Sequence, residues 1–157
     1  MQKYTAVKFV EEIKDGTEFQ ANEWPLHVTI TGNFIVKYND ALINSLSSIL
    51  RRHSSFDVVA AQDDLFGVNS NTLVTLIEPS KEILTLHNDI ISELALHGAL
   101  FDEPHYTKGG YRPHITVQRN YRLHKGERLS INQVSIVDMF PHADMGMRKV
   151  LATLNLA

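Results

Sequence analysis

The sequence predicts an α+β protein in which helices cover one side of largely antiparallel sheets. Two amphipathic helical segments are separated by short segments rich in β-branched residues, in the order ββαββαβββ. Hydrophobic residues make up 43% of the 157 residues and charged residues 21%, which is ordinary for a globular protein. We therefore expect residues 1–157 to form a single domain with a substantial core.

The first half of the chain contains the first predicted helix. Residues 3–12 are predicted to form a strand, residues 15–25 a polar loop and residues 26–31 a second strand. Asn39 or Asp40 can then cap a helix that ends near residues 51–53. Its apolar positions recur at helical spacing and predict one buried stripe: Leu42, Ile43, Leu46, Ile49 and Leu50.

The second half repeats the pattern of strands around a helix. Strands are predicted over residues 56–62 and 72–78, before a helix that begins after Pro79-Ser80 and ends at Gly98. The helix has an apolar face: Ile83, Leu86, Ile90, Ile91 and Leu94. A loop over residues 99–112 follows, and then three strands, over residues 114–119, 129–138 and 148–156.

Composition excludes several classes of chemistry. The absence of cysteine excludes disulfides, thiolate zinc sites and cysteine nucleophiles. The formal net charge is −3, whereas proteins that hold long nucleic-acid tracts usually need a basic face. A nucleotide or the end of an RNA is compatible with this charge. No apolar run approaches the roughly 20 residues that cross a bilayer, and the N-terminal residues lack the apolar stretch of a signal peptide, so we expect a cytoplasmic protein without a membrane partner. We also expect a monomer.

Two segments of the chain are near copies of each other: His27-Val28-Thr29-Ile30 and His114-Ile115-Thr116-Val117. Both lie in predicted strands and closely follow a proline. Side chains two residues apart lie on the same face of a strand, about 6.6 Å apart. Each segment therefore directs two aliphatic side chains into the core and presents an imidazole beside a hydroxyl on the other face. The duplication also predicts pseudo-two-fold symmetry, which would bring both imidazoles into one cleft.

Two facing imidazoles can catalyse in-line displacement at phosphorus. One partner removes a proton from the attacking oxygen and the other delivers a proton to the leaving oxygen. Histidine, with an unperturbed pKa of about 6.5, can do either near neutrality. The hydroxyls of Thr29 and Thr116 can donate hydrogen bonds to the non-bridging phosphoryl oxygens. His27 and His114 are therefore the predicted acid–base pair, and their near-identical motifs leave open which is the acid.

The paired motifs resemble those of the two-histidine (2H) phosphoesterase superfamily, which includes 2′-5′ RNA ligase-like and cyclic phosphodiesterase proteins. The family signature is two His-x-Thr/Ser-x motifs, x usually apolar, and the order of strands and helices is also similar over most of the chain. The resemblance implies a bilobal fold with a central cleft. It also implies metal-independent hydrolysis or transesterification of 2′,3′-cyclic phosphates or 2′-5′ phosphodiester links in RNA ends or nucleotides, with no cofactor.

Five further residues are candidates for contacts with substrate. Tyr111 and Arg112 precede the second motif, where the tyrosine can stack on a base and the arginine can pair with a phosphate. Arg119 follows that motif and can neutralise a phosphate, although strict alternation points it away from the histidine unless the strand ends or bulges. Trp24 and Phe34 flank the first motif and can form a base-stacking wall.

The other six histidines are interpreted as structural or incidental, since none has the spacing of a metal ligand and no metal site is predicted. Two other interpretations of the paired motifs stay open. The same cleft can hold a nucleotide or an RNA end without turnover, or the chain can be an α+β scaffold in which the motifs are coincidental.

Overall fold

The computed structural model describes residues 2–119 and 121–157. Within these residues the chain forms ten β-strands, two α-helices and three short 3₁₀ turns. The strands are β1 (Tyr4–Phe9), β2 (Glu18–Gln20), β3 (His27–Ile35), β4 (Phe56–Phe66), β5 (Thr72–Ile77), β6 (Leu100–Phe101), β7 (His114–Thr116), β8 (Arg128–Ile131), β9 (Gln133–Asp138) and β10 (Met147–Asn155). The helices are α1 (Asp40–Leu50) and α2 (Lys81–Leu96), and the 3₁₀ turns are Pro104–Tyr106, Lys108–Gly110 and Pro141–Ala143. Neither helix in this part of the chain has the length and apolar character that a membrane span requires.

The strands follow one continuous path in the order β2-β10-β9-β1-β3-β7-β5-β4-β8, and β6 pairs with the last residues of β3. Each of these pairings is antiparallel. The two halves of the sheet meet between β3 and β7, the strands that carry the two motifs. The predicted α+β class with antiparallel pairing is confirmed.

Both helices begin where the sequence predicts. The side chain of Asn39 accepts a hydrogen bond from the Leu42 N–H at 2.9 Å, and that of Ser80 accepts one from the Ile83 N–H at 3.3 Å. These caps satisfy amide groups that have no partner inside the helix. Gly98 follows α2 with a φ of 81°, the left-handed conformation that closes helices at this position.

Both helices pack on one face of the sheet. Their buried side chains share one apolar cluster with Val28 and Ile30 of β3 and with Ile115 of β7, each of which is 0% exposed. The alternation predicted for the motifs therefore holds, because the aliphatic residues between the motif histidines and threonines face the helices. The histidines and threonines face the opposite side of the sheet.

The prediction of a single strand over residues 129–138 is wrong. β8 pairs with β4 at one edge of the sheet, whereas β9 lies between β1 and β10 in the other half. The chain crosses over at Asn132, whose carbonyl accepts from the Leu156 N–H and whose side chain accepts from Lys8 Nζ. The residues on both sides favour strands, and no glycine or proline marks the break.

Smaller differences concern the ends of strands. Two predicted loops contain short strands, β2 and β6, which pair with β10 and β3. β4 runs to Phe66 rather than to residue 62, past a register shift between Ala60 and Asp63. β7 ends at Thr116, earlier than predicted, and the chain then turns so that Arg119 has a φ of 57°.

Candidate active site

The four polar side chains of the motifs lie together on the face of the sheet opposite the helices. Val28 of β3 pairs with Ile115 of β7. In an antiparallel pair this register sets two flanking cross-strand pairs: His27 with Thr116 and Thr29 with His114. The two histidines occupy diagonal positions, whose backbones are typically about 7–8 Å apart. All four side chains are partly exposed.

The site has a local two-fold axis between Val28 and Ile115. Rotation about this axis exchanges two antiparallel strands and keeps the sequence order along each. It therefore superimposes the first motif on the second, histidine on histidine and threonine on threonine. The strand register thus gives the two motifs the two-fold relation that their repeated sequence predicts. The two imidazoles consequently approach the space between them from opposite corners.

Each imidazole is held by the same hydrogen bond. Nδ1 of His27 lies 2.8 Å from the carbonyl oxygen of Pro25, and Nδ1 of His114 lies 2.8 Å from that of Arg112. Because a carbonyl oxygen only accepts, Nδ1 carries a proton in both rings. Nε2 therefore has a free lone pair when the ring is neutral and carries the second proton when the ring is charged. Each ring is set to accept or to donate a proton at Nε2.

An aromatic side chain packs against each imidazole. The ring centroids of Trp24 and His27 are 4.6 Å apart, and those of Phe66 and His114 are also 4.6 Å apart. Trp24 is held in turn by Phe19, at 4.9 Å. Phe66 is absent from the predicted site, because its strand was expected to end at residue 62. The aromatic contacts orient the rings and reduce their contact with water.

Burial lowers the pKa of both motif histidines below its ordinary value. The hydrogen bonds to the Pro25 and Arg112 carbonyls act in the opposite direction, because the charged ring donates more strongly. The proximity of His114 lowers the pKa of His27 further, and the charge of Arg112 does the same for His114. The free site therefore favours neutral rings, and a bound anion would favour a proton on one of them.

We call the space between the two imidazoles the cleft, and both predicted arginines form ion pairs beside it. Arg112 lies 3.1 Å from the carboxylate of Asp64, and its guanidinium is 4.9 Å from the centre of the Phe66 ring. Arg119 lies 2.8 Å from the carboxylate of Glu23. Because β7 ends early, Arg119 is carried to the His27 end of the cleft, beside Trp24. Exposed pairs of this kind add little to stability, so their main effect is to orient the guanidinium groups.

A pocket of about 390 Å³ lies at the His27 end of the cleft. Its walls include Trp24, Pro25 and, after β7, Gln118, Arg119 and Tyr121. This volume falls in the range of small-molecule sites, about 300–1,000 Å³. Trp24 links the pocket to the site, since the same side chain lines the pocket and packs on the imidazole.

Two of the predicted substrate contacts need correction. Phe34 is 1% exposed and belongs to the core on the helix side, so it cannot stack on a base. The ring of Tyr111 stacks on that of His87, with centroids 3.8 Å apart, and its hydroxyl donates to the Thr29 carbonyl at 2.9 Å. Tyr111 therefore supports the scaffold rather than a base. Aromatic residues near a motif do not reveal from sequence which face of the sheet they occupy.

No metal-binding group of three or more histidine, aspartate or glutamate side chains occurs within residues 2–119 and 121–157. The chemistry of the site rests on two imidazoles with free Nε2 atoms, two hydroxyls between them and two guanidinium groups at the ends. Such a set can move protons on both sides of one phosphoryl group and stabilise its non-bridging oxygens.

The chain belongs to the 2′-5′ RNA ligase superfamily, whose family model matches residues 4–128. This stretch contains both motifs and the centre of the sheet. The membership agrees with the resemblance to 2H phosphoesterases that the motifs indicate.

Solved structures share the fold over nearly the whole chain. E. coli LigT complexed with NADP⁺ is 14% identical, with a TM-score of 0.60 and coverage of 99% of this chain and 98% of LigT. LigT complexed with 3′-AMP gives a TM-score of 0.57 at the same identity and coverage. TT0787 of Thermus thermophilus is 15% identical, with a TM-score of 0.59 and coverage of 99% and 97%. A search of curated protein sequences finds no match.

Proposed function

We propose that this chain is a metal-independent phosphodiesterase that acts on 2′,3′-cyclic phosphates or 2′-5′ phosphodiester links of nucleotides or RNA ends. His27 and His114 are its acid–base pair. The observation that carries the proposal is the matched hydrogen bonding of the two rings, which gives each a proton on Nδ1 and leaves Nε2 available. The binding of 3′-AMP by LigT, a protein of the same fold, supports a nucleotide substrate.

The reaction follows from the charge states of the pair. With a cyclic phosphate, water attacks phosphorus and gives its proton to the neutral Nε2 of one histidine. The bond from phosphorus to the 2′ or 3′ oxygen breaks, and that oxygen takes the proton from the charged Nε2 of the other histidine. Thr29 and Thr116 donate to the non-bridging oxygens, where negative charge concentrates. One proton on the histidine pair also balances the single negative charge of a phosphodiester.

The surroundings of the pair suggest where the rest of the substrate lies. The pocket beside His27 has aromatic, amide and charged walls, which suit a nucleoside. Arg112 lies at the other end of the cleft, near His114, and in this proposal binds a second phosphate of an RNA end. Arg119, which lines the pocket and is paired with Glu23, is the proposed substrate contact at that end.

Turnover tests the proposal directly. The protein is incubated with 2′,3′-cyclic AMP and with a 2′-5′-linked dinucleotide, in buffer with EDTA, and products are followed by phosphorus NMR. We expect conversion to one phosphomonoester isomer. His27→Ala and His114→Ala should each lower kcat/KM by about 10²–10⁴-fold, the usual contribution of general acid–base catalysis.

His97→Ala is the matched control, because His97 ends α2 on the opposite face of the sheet and should leave turnover unchanged. Binding shifts without any product would instead support a nucleotide-binding module. Turnover that persists in the double variant His27→Ala/His114→Ala would contradict the proposed roles.

A further inference from the structure

A third histidine, His87, lies behind the site in α2 and is 1% exposed. Its neighbours one turn away along the helix are all aliphatic: Ile83, Leu84, Ile90 and Ile91. A polar ring in an apolar position is costly unless its nitrogens are hydrogen-bonded. His87 finds partners for both nitrogens outside its own helix.

The two partners belong to different parts of the site. Nδ1 of His87 donates to the carbonyl of Ile30 in β3 at 2.7 Å, and the N–H of Lys108 donates to Nε2 at 2.9 Å. The first bond needs a proton on Nδ1 and the second a bare Nε2, so together they require the neutral ring. Burial lowers the pKa of His87, and the charge of Lys108 lowers it further against the opposing effect of the Ile30 bond.

The loop that Lys108 belongs to leads directly into the second motif. The Lys108 carbonyl accepts from the Tyr111 N–H at 3.0 Å, and the Tyr111 ring lies parallel to that of His87, at an angle of 1°. The Tyr111 hydroxyl then donates to the carbonyl of Thr29. The next residue, Arg112, supplies the carbonyl that holds His114. His87 thus contacts the first motif strand and, through two residues, the segment that orients the second imidazole.

We infer that His87 is a positioning residue for the His27–His114 pair: it fastens the loop over residues 104–112 to β3 and so sets the position of the Arg112 carbonyl. The inference rests on the proposed function, since positioning matters only if the pair is catalytic. The contacts of His87 with Ile30, Lys108 and Tyr111 form without substrate. The effect of His87 on the loop and on the His114 ring can therefore be measured in the free protein.

The first measurement follows the free protein. Hydrogen exchange of the Lys108 amide and the ring nitrogen signals of His114 are recorded for the wild type, His87→Phe, His87→Gln and Leu94→Ala. His87→Phe keeps a flat ring on Tyr111 but loses both hydrogen bonds, whereas the amide oxygen of His87→Gln can replace the Nε2 acceptor. Leu94→Ala, about two turns along the same helix, controls for general loss of packing.

We expect His87→Phe to exchange the Lys108 amide at least about tenfold faster and to let His114 populate both neutral tautomers. His87→Gln should restore part of the protection, and Leu94→Ala should keep the wild-type tautomer. Unchanged exchange at Lys108, or an unchanged His114 tautomer in His87→Phe, overturns the inference whether or not the protein turns over any substrate.

The second measurement is kinetic. Small displacements of catalytic groups can cost about 10²-fold in rate, so kcat/KM of His87→Phe should fall by about 10- to 100-fold, mostly in kcat. His87→Gln should recover part of this loss. A value of kcat/KM for His87→Phe no lower than that for Leu94→Ala would assign His87 to packing alone and overturn the inference.

Discussion

The chemistry of the site depends on two ring nitrogens that are fixed by backbone carbonyls. The carbonyls of Pro25 and Arg112 stand two residues before His27 and His114, so each motif carries the group that sets its own tautomer. Pro25 itself supplies the first carbonyl, and Pro113 directly follows the second. The two sites differ in their neighbours, because Arg112 places a positive charge near His114.

This asymmetry predicts the effect of Arg112→Gln on the pKa of His114. Burial and the Arg112 charge both lower that pKa, so removal of the charge should raise it, while the backbone hydrogen bond stays. The measurement is an NMR titration of the His114 ring proton. Arg51→Gln, which removes an equal charge at the end of α1 on the other face, should leave the pKa unchanged. A fall in the His114 pKa in Arg112→Gln would contradict the assignment.

Among the elements, the loop before β7 contains a position at which the backbone leaves no room for a Cβ atom. A Cβ atom added at Gly110 would overlap the His105 carbonyl oxygen, whereas one added at Gly109 would meet nothing within 4 Å. The loop also contains Lys108, which contacts His87 and has a φ of 53°. A side chain therefore fits at Gly109 but not at Gly110.

We predict that Gly110→Ala disturbs this loop and Gly109→Ala does not. The first substitution forces the backbone apart and should lower the free energy of unfolding by about 1–3 kcal/mol, the usual effect of overpacking. It should also lower kcat/KM, because the loop carries Arg112. Urea denaturation of the two variants, with turnover measured in parallel, checks both effects. Equal stability of the two variants would show that the loop adjusts freely.

The sequence was sufficient to predict most elements and the shared face of the four motif side chains. Helix caps and apolar periodicity are local signals, so α1 and α2 were predicted with their correct starts. The crossover at Asn132 was missed because both flanking segments favour strands and only tertiary pairing separates β8 from β9. Phe66 was missed for a related reason, since its contact with His114 depends on how far β4 extends beyond its register shift.

Burial of single side chains was the least predictable feature. Phe34 and Trp24 are both aromatic and lie near the first motif, yet one is in the helix-side core and the other packs on His27. The hydrogen bonds of His87 were likewise not predicted, although its aliphatic neighbours one turn away on α2 place it on the buried stripe. A histidine on such a stripe indicates that hydrogen-bond partners lie on neighbouring elements.

In the whole molecule, the two halves of the sheet meet at β3 and β7, and the site lies at this junction. The fold thereby places two copies of one motif on either side of a local two-fold axis. A symmetric pair cannot show by position alone which histidine is the base. The different surroundings break this equivalence, with the pocket at the His27 end and Arg112 near His114.

The pH dependence of kcat/KM in the wild type and the two single variants tests the acid–base pair most directly. The base must be neutral and the acid charged, so activity should fall on both sides of an optimum. Because burial lowers both pKa values, we predict an optimum below pH of about 6.5 for a cyclic phosphate. In His27→Ala the residual activity should no longer fall on one side of the optimum, the acidic or the alkaline limb of the profile, and in His114→Ala it should no longer fall on the other. The variant that loses the acidic limb identifies the base. A profile that is flat in the wild type, or loss of the same limb in both variants, would contradict the account.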